Sequence, residues 1–399
     1  MKKRLKIGIF MDSFYPSIDG VVLVVDNLAK ELSKNNDVTL VVPYTVTKSE
    51  DKNRDYEVKR IRSYPIPFSE YRLSERKPRF SRAYRYLMDK KFDIIHIHSP
   101  FAVGQLGVRI ARDLGIPCVC TMHTRFDYEF KKRIDSDLIV DGIIKELMRV
   151  YNSCNAGIAI NHKMIKVYKD FGCTLKPTII YNGTDLSGIS DDEKESALKL
   201  VNEKYKLKED EKVFLFVGRI VDFKNIFFIL DSLRLLKEEG FKFKMIYVGD
   251  GPDYEKLKSM VSEYKMNNEV ILTGKISDRH LLSCIYYRSD LFLFPSLFDA
   301  SSLVQIEAAV NETPTLFIEG SVTSDTVVNN VSGFTSKNSV ISYKDRIKEI
   351  FNNKKLYDEV KVNAKNMLGK KWSDIALETN EFYLKVIDDF KEQLWKSFM

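Results

Sequence analysis

Short apolar runs alternate along the chain with longer stretches in which apolar residues recur every three or four positions. The runs at 5–11, 38–42, 93–98, 117–121, 157–160 and 178–180 read as strands. Between them, 21–33, 103–114 and 162–171 carry helical spacing. The pattern restarts with strands at 213–217, 244–248, 269–272, 290–294 and 313–317, most of them followed by a helical stretch. Strands alternating with helices predict parallel sheets with helices on both faces. Two such series predict two doubly wound α/β domains, each taking ligands at the carboxyl ends of its strands. Turn residues cluster from Asn182-Gly183-Thr184-Asp185 onward, which places the joint at 185–191.

Composition agrees with two large domains. The chain has 399 residues, 44% of them apolar and 30% charged, enough to fill two cores and too apolar for disorder. No run of eighteen apolar residues predicts a membrane span. The basic start is followed by an apolar stretch that ends at Asp12, too short for a signal peptide, and it reads as the first strand. Five cysteines (Cys118, Cys120, Cys154, Cys173, Cys284) form no Cys-x-x-Cys pair and read as reduced thiols of a cytoplasmic protein. His96 and His98 would share one strand face, as metal ligands can. No cysteine or carboxylate cluster accompanies them, so no metal site is predicted.

Charge changes the picture locally. The chain carries 63 basic and 56 acidic residues, a net +7. Residues 59–91 alone hold eleven basic residues against Glu70, Glu75 and Asp89, a net +8, so the remainder is close to neutral. Read as a helix, 79–91 puts Phe80, Ala83, Tyr84, Leu87 and Met88 on one stripe and Arg79, Arg82, Arg85 and Asp89 opposite. Two readings stay open: a helix packed on the first domain with a solvated basic back, or a surface resting on anionic lipid. No recognised nucleic-acid motif is present, and nucleic-acid binding is not predicted.

Three stretches of the second half carry candidate chemistry. In Phe216-Val217-Gly218-Arg219-Ile220-Val221-Asp222-Phe223-Lys224-Asn225 a strand ends at glycine, and two cations flank a helix start. That suits a diphosphate, although two ordinary surface cations fit the stretch as well. Tyr247-Val248-Gly249-Asp250-Gly251-Pro252 is a strand and a tight turn, open to a ligand or another backbone. In Pro295 to Ala309, Asp299 lies in a loop and Glu307 about one turn into a helix starting near Ser302. Leu303 and Val304 would aim free N–H groups at an anion, and the carboxylates would accept hydroxyls of a sugar or ribose. Glu307 fits a solvated helix residue equally well. In the first half, Gly20 of Phe14-Tyr15-Pro16-Ser17-Ile18-Asp19-Gly20-Val21 would let a helix start approach a ligand. His123, in Thr121-Met122-His123-Thr124-Arg125-Phe126-Asp127, sits just past a strand end, where such folds bind ligands.

Together these motifs resemble the family-4 retaining glycosyltransferases of GT-B architecture, over nearly the whole chain. The loop ending Gly20-Val21, Ile97-His98-Ser99-Pro100, Met122-His123, Asn182-Gly183-Thr184-Asp185, Arg219 with Lys224, Gly249-Asp250-Gly251-Pro252 and the pair Asp299 and Glu307 fall where that family has them. Trp372-Ser373 looks like the family's tail, which crosses back onto the first domain. The resemblance implies two Rossmann-like domains facing across a cleft: 1–187, completed by a helix at about 378–399, for the acceptor, and 188–377 for a nucleotide-sugar. It implies that Arg219 and Lys224 hold the donor diphosphate with Gly20, Gly218, Gly249, Ser302, Leu303 and Val304. Glu307 would meet the ribose, Asp299 a sugar hydroxyl, His123 the sugar and acceptor, and Ile276 in the segment 274–277 the base. Catalysis would rest on His123, Arg219, Lys224 and Asp299.

The implied reaction moves a hexose, glucose from UDP-glucose, to a hydroxyl with retention, with no cofactor and no metal. The stretches His98–Gly104 and His123–Glu129 look like those of members that glycosylate diacylglycerol. A membrane-lipid acceptor is therefore expected, with Arg79, Arg82, Arg85 and Phe126 as the membrane and acceptor surface. The protein would be cytoplasmic and peripheral on the inner face of the membrane. A polysaccharide or soluble acceptor, and a nucleotide-sugar-binding protein with little catalysis, stay open. Two departures bear on the donor. Asp299 stands where Glu is usual, shorter by about 1.5 Å of reach, and Ser301-Ser302 stands where Phe-Gly is common. Asn311-Glu312 replaces the usual Ser-Gly.

Overall fold

A computed structural model describes residues 4–17, 19–45, 49–65, 72–74, 81–131 and 133–398. The chain divides into two compact units, Met1–Asn182 with Trp372–Met399, and Gly183–Lys371. The division falls five residues before the expected boundary at 187, at the first turn residues of the Asn182-Gly183 stretch.

The first unit runs β1 (Lys6–Phe10), α1 (Gly20–Ser33), β2 (Asp37–Pro43), β3 (Glu57–Ile61), the small antiparallel pair β4 (Ser63–Pro65) and β5 (Arg72–Ser74), and α2 (Arg82–Asp89). It continues β6 (Ile94–Ile97), α3 (Ala102–Leu114), β7 (Cys118–Met122), α4 (Phe126–Lys131), α5 (Asp137–Asn152), β8 (Ala156–Ala159), α6 (His162–Asp170) and β9 (Thr178–Ile179). Its main sheet is parallel in the order β3-β2-β1-β6-β7-β8-β9. The central strands are buried on both faces, which is why they read as continuous apolar runs. Helix α3 ends where Gly115 takes the left-handed conformation at φ 64°.

Strand β3 escapes the hydrophobic pattern because it is an edge strand with only Ile61 buried, and an edge tolerates its charges. It also breaks up the basic segment. The Arg60 side chain is enclosed, pairs with Asp51 at 2.6 Å and donates to the carbonyls of Pro43 and Tyr15 at 3.1 Å each. Lys90 pairs with Glu57 of the same strand. Helix α2 is capped by Ser81, which accepts from Tyr84 N–H at 3.1 Å, and it buries Tyr84 and Leu87 while Arg82 and Arg85 stay exposed. Arg79 and Phe80 lie outside the described residues.

The second unit runs α7 (Lys194–Tyr205), β10 (Lys212–Val217), α8 (Ile226–Glu238), β11 (Phe243–Val248), α9 (Tyr254–Glu263), β12 (Val270–Gly274) and α10 (Arg279–Arg288). Then come β13 (Leu291–Phe294), α11 (Leu303–Val310), β14 (Thr315–Ile318), β15 (Phe334–Ser336), α12 (Val340–Asn352) and α13 (Lys354–Leu368). The sheet order β12-β11-β10-β13-β14-β15 reverses between β10 and β13, as the first sheet reverses between β1 and β6. At such a point successive crossovers leave to opposite faces and open a crevice at the strand ends.

Helix α14 (Trp372–Phe398) belongs to the first unit and starts six residues earlier than the expected 378. Its Asn380 accepts from Asn36 Nδ2 at 3.1 Å, and its Tyr383 hydroxyl bonds His96 at 2.6 Å. Among the described residues no helix is long and apolar enough to cross a membrane. All five cysteines are free and buried.

Candidate functional site

In the second unit the site forms where the sheet order reverses. Gly218 and Gly249 end β10 and β11 with φ 154° and 145°. A Cβ on Gly249 would sit 1.8 Å from the Gly218 carbonyl oxygen, so only glycine lets these two loops touch backbone to backbone. Arg219 follows, exposed and with no hydrogen bond or ion pair among the described residues. Lys224 closes a 3₁₀ turn, and Asn225, left-handed at φ 57°, donates its side-chain amide to Pro295 O at 2.8 Å. That bond ties the loop after β10 to the loop after β13. Lys224 Nζ then bonds both Asp299 oxygens, at 3.0 and 3.1 Å. Ser302 is buried and turns its hydroxyl inward to cap α11, accepting from Gln305 N–H at 3.2 Å. The Leu303 and Val304 amides keep no partner among the described residues. One exposed cation, one cation shared with a carboxylate, and two open amides at a helix start suit a diphosphate.

Glu307 is buried, at 9% exposure, and is not the solvated helix residue that the sequence also allowed. Its Oε1 accepts from Arg279 at 2.8 Å and its Oε2 from the Tyr286 hydroxyl at 3.0 Å. Burial pushes its carboxyl above the ordinary glutamate value, against the pull of Arg279 and Tyr286. Arg279 reaches on to Asp185. Ile276, after β12, is half-buried and packs on the core of this unit.

In the first unit Asp12 follows β1 and is buried against the start of α3. Its carboxylate accepts from Val103 N–H at 2.7 Å, Gly104 N–H at 3.2 Å and the Ser99 hydroxyl at 2.6 Å. An acidic side chain thus fills the anion position of that helix start. Burial pushes its carboxyl up to about 6. Gly20 opens α1, capped by Asp19 at 2.8 Å, and a Cβ there would meet nothing within 4 Å. Nothing inside the described chain requires glycine at that position.

His123 is 6% exposed at the end of β7. Its Nε2 lies 2.9 Å from His98 Nδ1. His96 bonds Tyr383 and, at 2.7 Å, the Thr121 hydroxyl. Burial holds His96 and His123 down to about 3, so both are neutral imidazoles. Among the described residues no group of three or more His, Cys, Asp or Glu is placed to hold a metal.

Phe126 corrects the expected acceptor surface. It is 3% exposed and packs on Phe101, Phe130, Tyr151 and Tyr168 at centroid distances of 6.0 to 6.4 Å, a core role. Arg82 and Arg85 do face solvent.

Asp12, His98 and Arg279 escaped the sequence reading as site residues. Asp12 follows the first strand of a doubly wound unit, a position that could have flagged it. Arg279 gives no local signal, because its partners lie 28 and 94 positions away.

Residues 18–187 match Glycosyltransferase Family 4 and residues 199–367 match Glycosyl transferases group 1. The chain is 29% identical over 317 residues to an alpha-monoglucosyldiacylglycerol synthase of Streptococcus pneumoniae, covering 78% of this chain and 70% of that one. It is 28% identical over 326 residues to the Acholeplasma laidlawii protein of the same name, covering 78% and 79%. Anabaena HepE in complex with UDP superposes with a TM-score of 0.78 at 16% identity, over 96% of this chain and 100% of that chain. Sucrose-phosphate synthase from Thermosynechococcus elongatus does so with 0.74 at 18%, over 97% and 100%. At these identities the structural likeness speaks for the fold.

Proposed function

The chain belongs to the glycosyltransferases of GT-B fold, with a family-4 first domain and a group-1 second domain, and from that membership we propose that it moves glucose from UDP-glucose to a hydroxyl of a membrane lipid such as diacylglycerol. The transfer retains configuration at the anomeric carbon and uses no metal ion. The observation that carries the donor half is Lys224 held by Asp299 beside the exposed Arg219, where β10 and β13 diverge. Two relatives named as alpha-monoglucosyldiacylglycerol synthases support the lipid acceptor.

In the reaction the bond from the anomeric carbon to the diphosphate oxygen breaks. A bond to the acceptor oxygen forms on the same face, and the acceptor proton passes to the leaving phosphate oxygen. Arg219, Lys224 and the Leu303 and Val304 amides offset the charge that develops on the leaving group. Glu307 accepts from ribose hydroxyls, Asp299 from a sugar hydroxyl, and the segment with Ile276 meets the base. The exposed Arg82 and Arg85 rest on anionic lipid, making the protein peripheral to a membrane.

A thermal-shift panel of nucleotide-sugars tests the donor, since a ligand that binds only the folded state raises the melting temperature. The hit then goes into a transfer assay on diacylglycerol vesicles with EDTA. UDP-glucose should give the largest shift, and glucolipid should form in the chelator. No shift with any nucleotide-sugar, or full activity in the R219A/K224A double variant, would sink the proposal.

A further inference from the structure

His98 and His123 stand at the ends of neighbouring strands, β6 and β7, with their rings nearly parallel at 19° and centroids 5.1 Å apart. One proton lies between His98 Nδ1 and His123 Nε2, so one ring donates and the other accepts. The far nitrogens decide which. His98 Nε2 is sealed from solvent and has no hydrogen-bond partner. Were His123 the donor, a neutral His98 would carry its own proton on that sealed nitrogen. A buried N–H with nothing to receive it is both rare and costly. With His98 as donor, only a lone pair is left unmet, and His123 carries its proton on Nδ1. That nitrogen has no partner among the described residues and is not sealed off, so it is the one open to a ligand. Burial keeps both rings neutral, which excludes a doubly protonated ring from the pair.

His96 braces this arrangement. Both its nitrogens are committed, to Tyr383 of α14 at 2.6 Å and to Thr121 at 2.7 Å. Its ring lies against His98 with centroids 4.0 Å apart. The returning helix thereby holds His96, and His96 holds the ring that orients His123.

We propose that His98 is a positioning residue: it donates Nδ1–H to His123 Nε2 and locks His123 in the Nδ1–H tautomer. His123 then presents a neutral hydrogen-bond donor to an oxygen of the sugar or acceptor and does not take the acceptor proton. The identity of that ligand rests on the proposed function, whereas the tautomer does not.

Nitrogen-15 spectra of histidine-labelled protein read the tautomer directly, and the chain has only five histidines to assign. His98→Asn keeps an amide N–H near the position of Nδ1–H, and His98→Leu removes it. The wild type and H98N should show His123 protonated on Nδ1, while H98L should show a share on Nε2. With transfer assayed alongside, H98L should lose about tenfold in kcat, the scale of one mis-set hydrogen bond. Its donor KM should stay unchanged, and H98N should recover most of the rate. His123 protonated on Nε2 in the wild type overturns the proposal, as does undiminished kcat in H98L. If H98L does not fold, the wild-type and H98N spectra decide. If the wild type transfers no sugar to any acceptor, the proposed function has failed, and the spectrum alone judges His98.

Discussion

Lys224 Nζ bonds both carboxylate oxygens of Asp299, at 3.0 and 3.1 Å, across 75 positions of sequence. Both side chains are largely enclosed, at 16% and 20% exposure, so under the proposed function the ammonium would meet an arriving diphosphate already half-neutralised. Asp299→Asn should therefore bind UDP about threefold tighter or better, because one negative charge leaves the anion site. Transfer by the same variant should fall at least about tenfold, since under the proposed function a sugar hydroxyl loses a charged acceptor. Calorimetry with UDP beside initial rates separates the two effects. Weaker UDP binding in D299N would show that Asp299 does not compete with phosphate for Lys224.

Glu307 has each oxygen engaged, one by Arg279 and one by Tyr286. Glu307→Ala should destabilise the second unit by ~2 kcal/mol, mainly through the buried Tyr286 hydroxyl left unpaired. Arg279→Ala should act differently. Without its cation the Glu307 carboxyl, already raised by burial, rises further and protonates at a higher pH. Only the ionised form accepts at both oxygens, so UDP binding by R279A should weaken from pH 8 to pH 6 more steeply than in the wild type. Parallel pH profiles for the two proteins refute this coupling of Arg279 to Glu307.

The placement of these residues was legible because alternation marks the strand ends that they follow, while the roles expected of them came from the family resemblance. Gly218, Arg219, Lys224, Asp299 and Glu307 all fall beside the sheet reversal. Directions of side chains were not legible. Phe126 stands two residues from a neighbour of His123 in sequence yet turns into an aromatic core, and Ser302 turns its hydroxyl to its own helix. Strand β3 was lost because a charged edge strand lacks alternation, and with it went the fact that Arg60 and Lys90 are paired.

That pairing narrows the basic surface to residues such as Arg82 and Arg85. Changing both to Gln should lower affinity for anionic vesicles about tenfold or more at low salt, at ~1 kcal/mol for each arginine, and leave UDP binding intact. Phe126→Ala should leave vesicle affinity unchanged and lower stability by ~3 kcal/mol, as expected for a buried ring. Co-sedimentation and thermal melts distinguish these outcomes. Equal vesicle binding by the wild type and the R82Q/R85Q variant leaves the arginines as a solvated helix back.

Acid should unfold the first unit before the second. His96 and His123 fall from 6.5 to about 3 on folding, so below pH 6.5 the unfolded chain binds more protons and stability drops with pH. His98 shifts in the same direction. Asp12 works against them. Its carboxyl rises from 3.8 to about 6, so the folded chain takes up an extra proton as pH falls through 6 and gains stability. Two histidine shifts outweigh the one aspartate shift, for a net loss of ~4 kcal/mol by pH 4 before His98 is counted. The second unit contains only His280, which is exposed. Both tryptophans, Trp372 and Trp395, lie in α14 and so report on the first unit alone. Tryptophan fluorescence should therefore change at a higher pH than the bulk of the far-ultraviolet helical signal. Asp12→Asn removes the opposing proton uptake, so the stability of the first unit should fall more steeply between pH 7 and pH 4 than in the wild type. A single coincident transition by both probes would contradict the assignment of acid lability to the buried histidines.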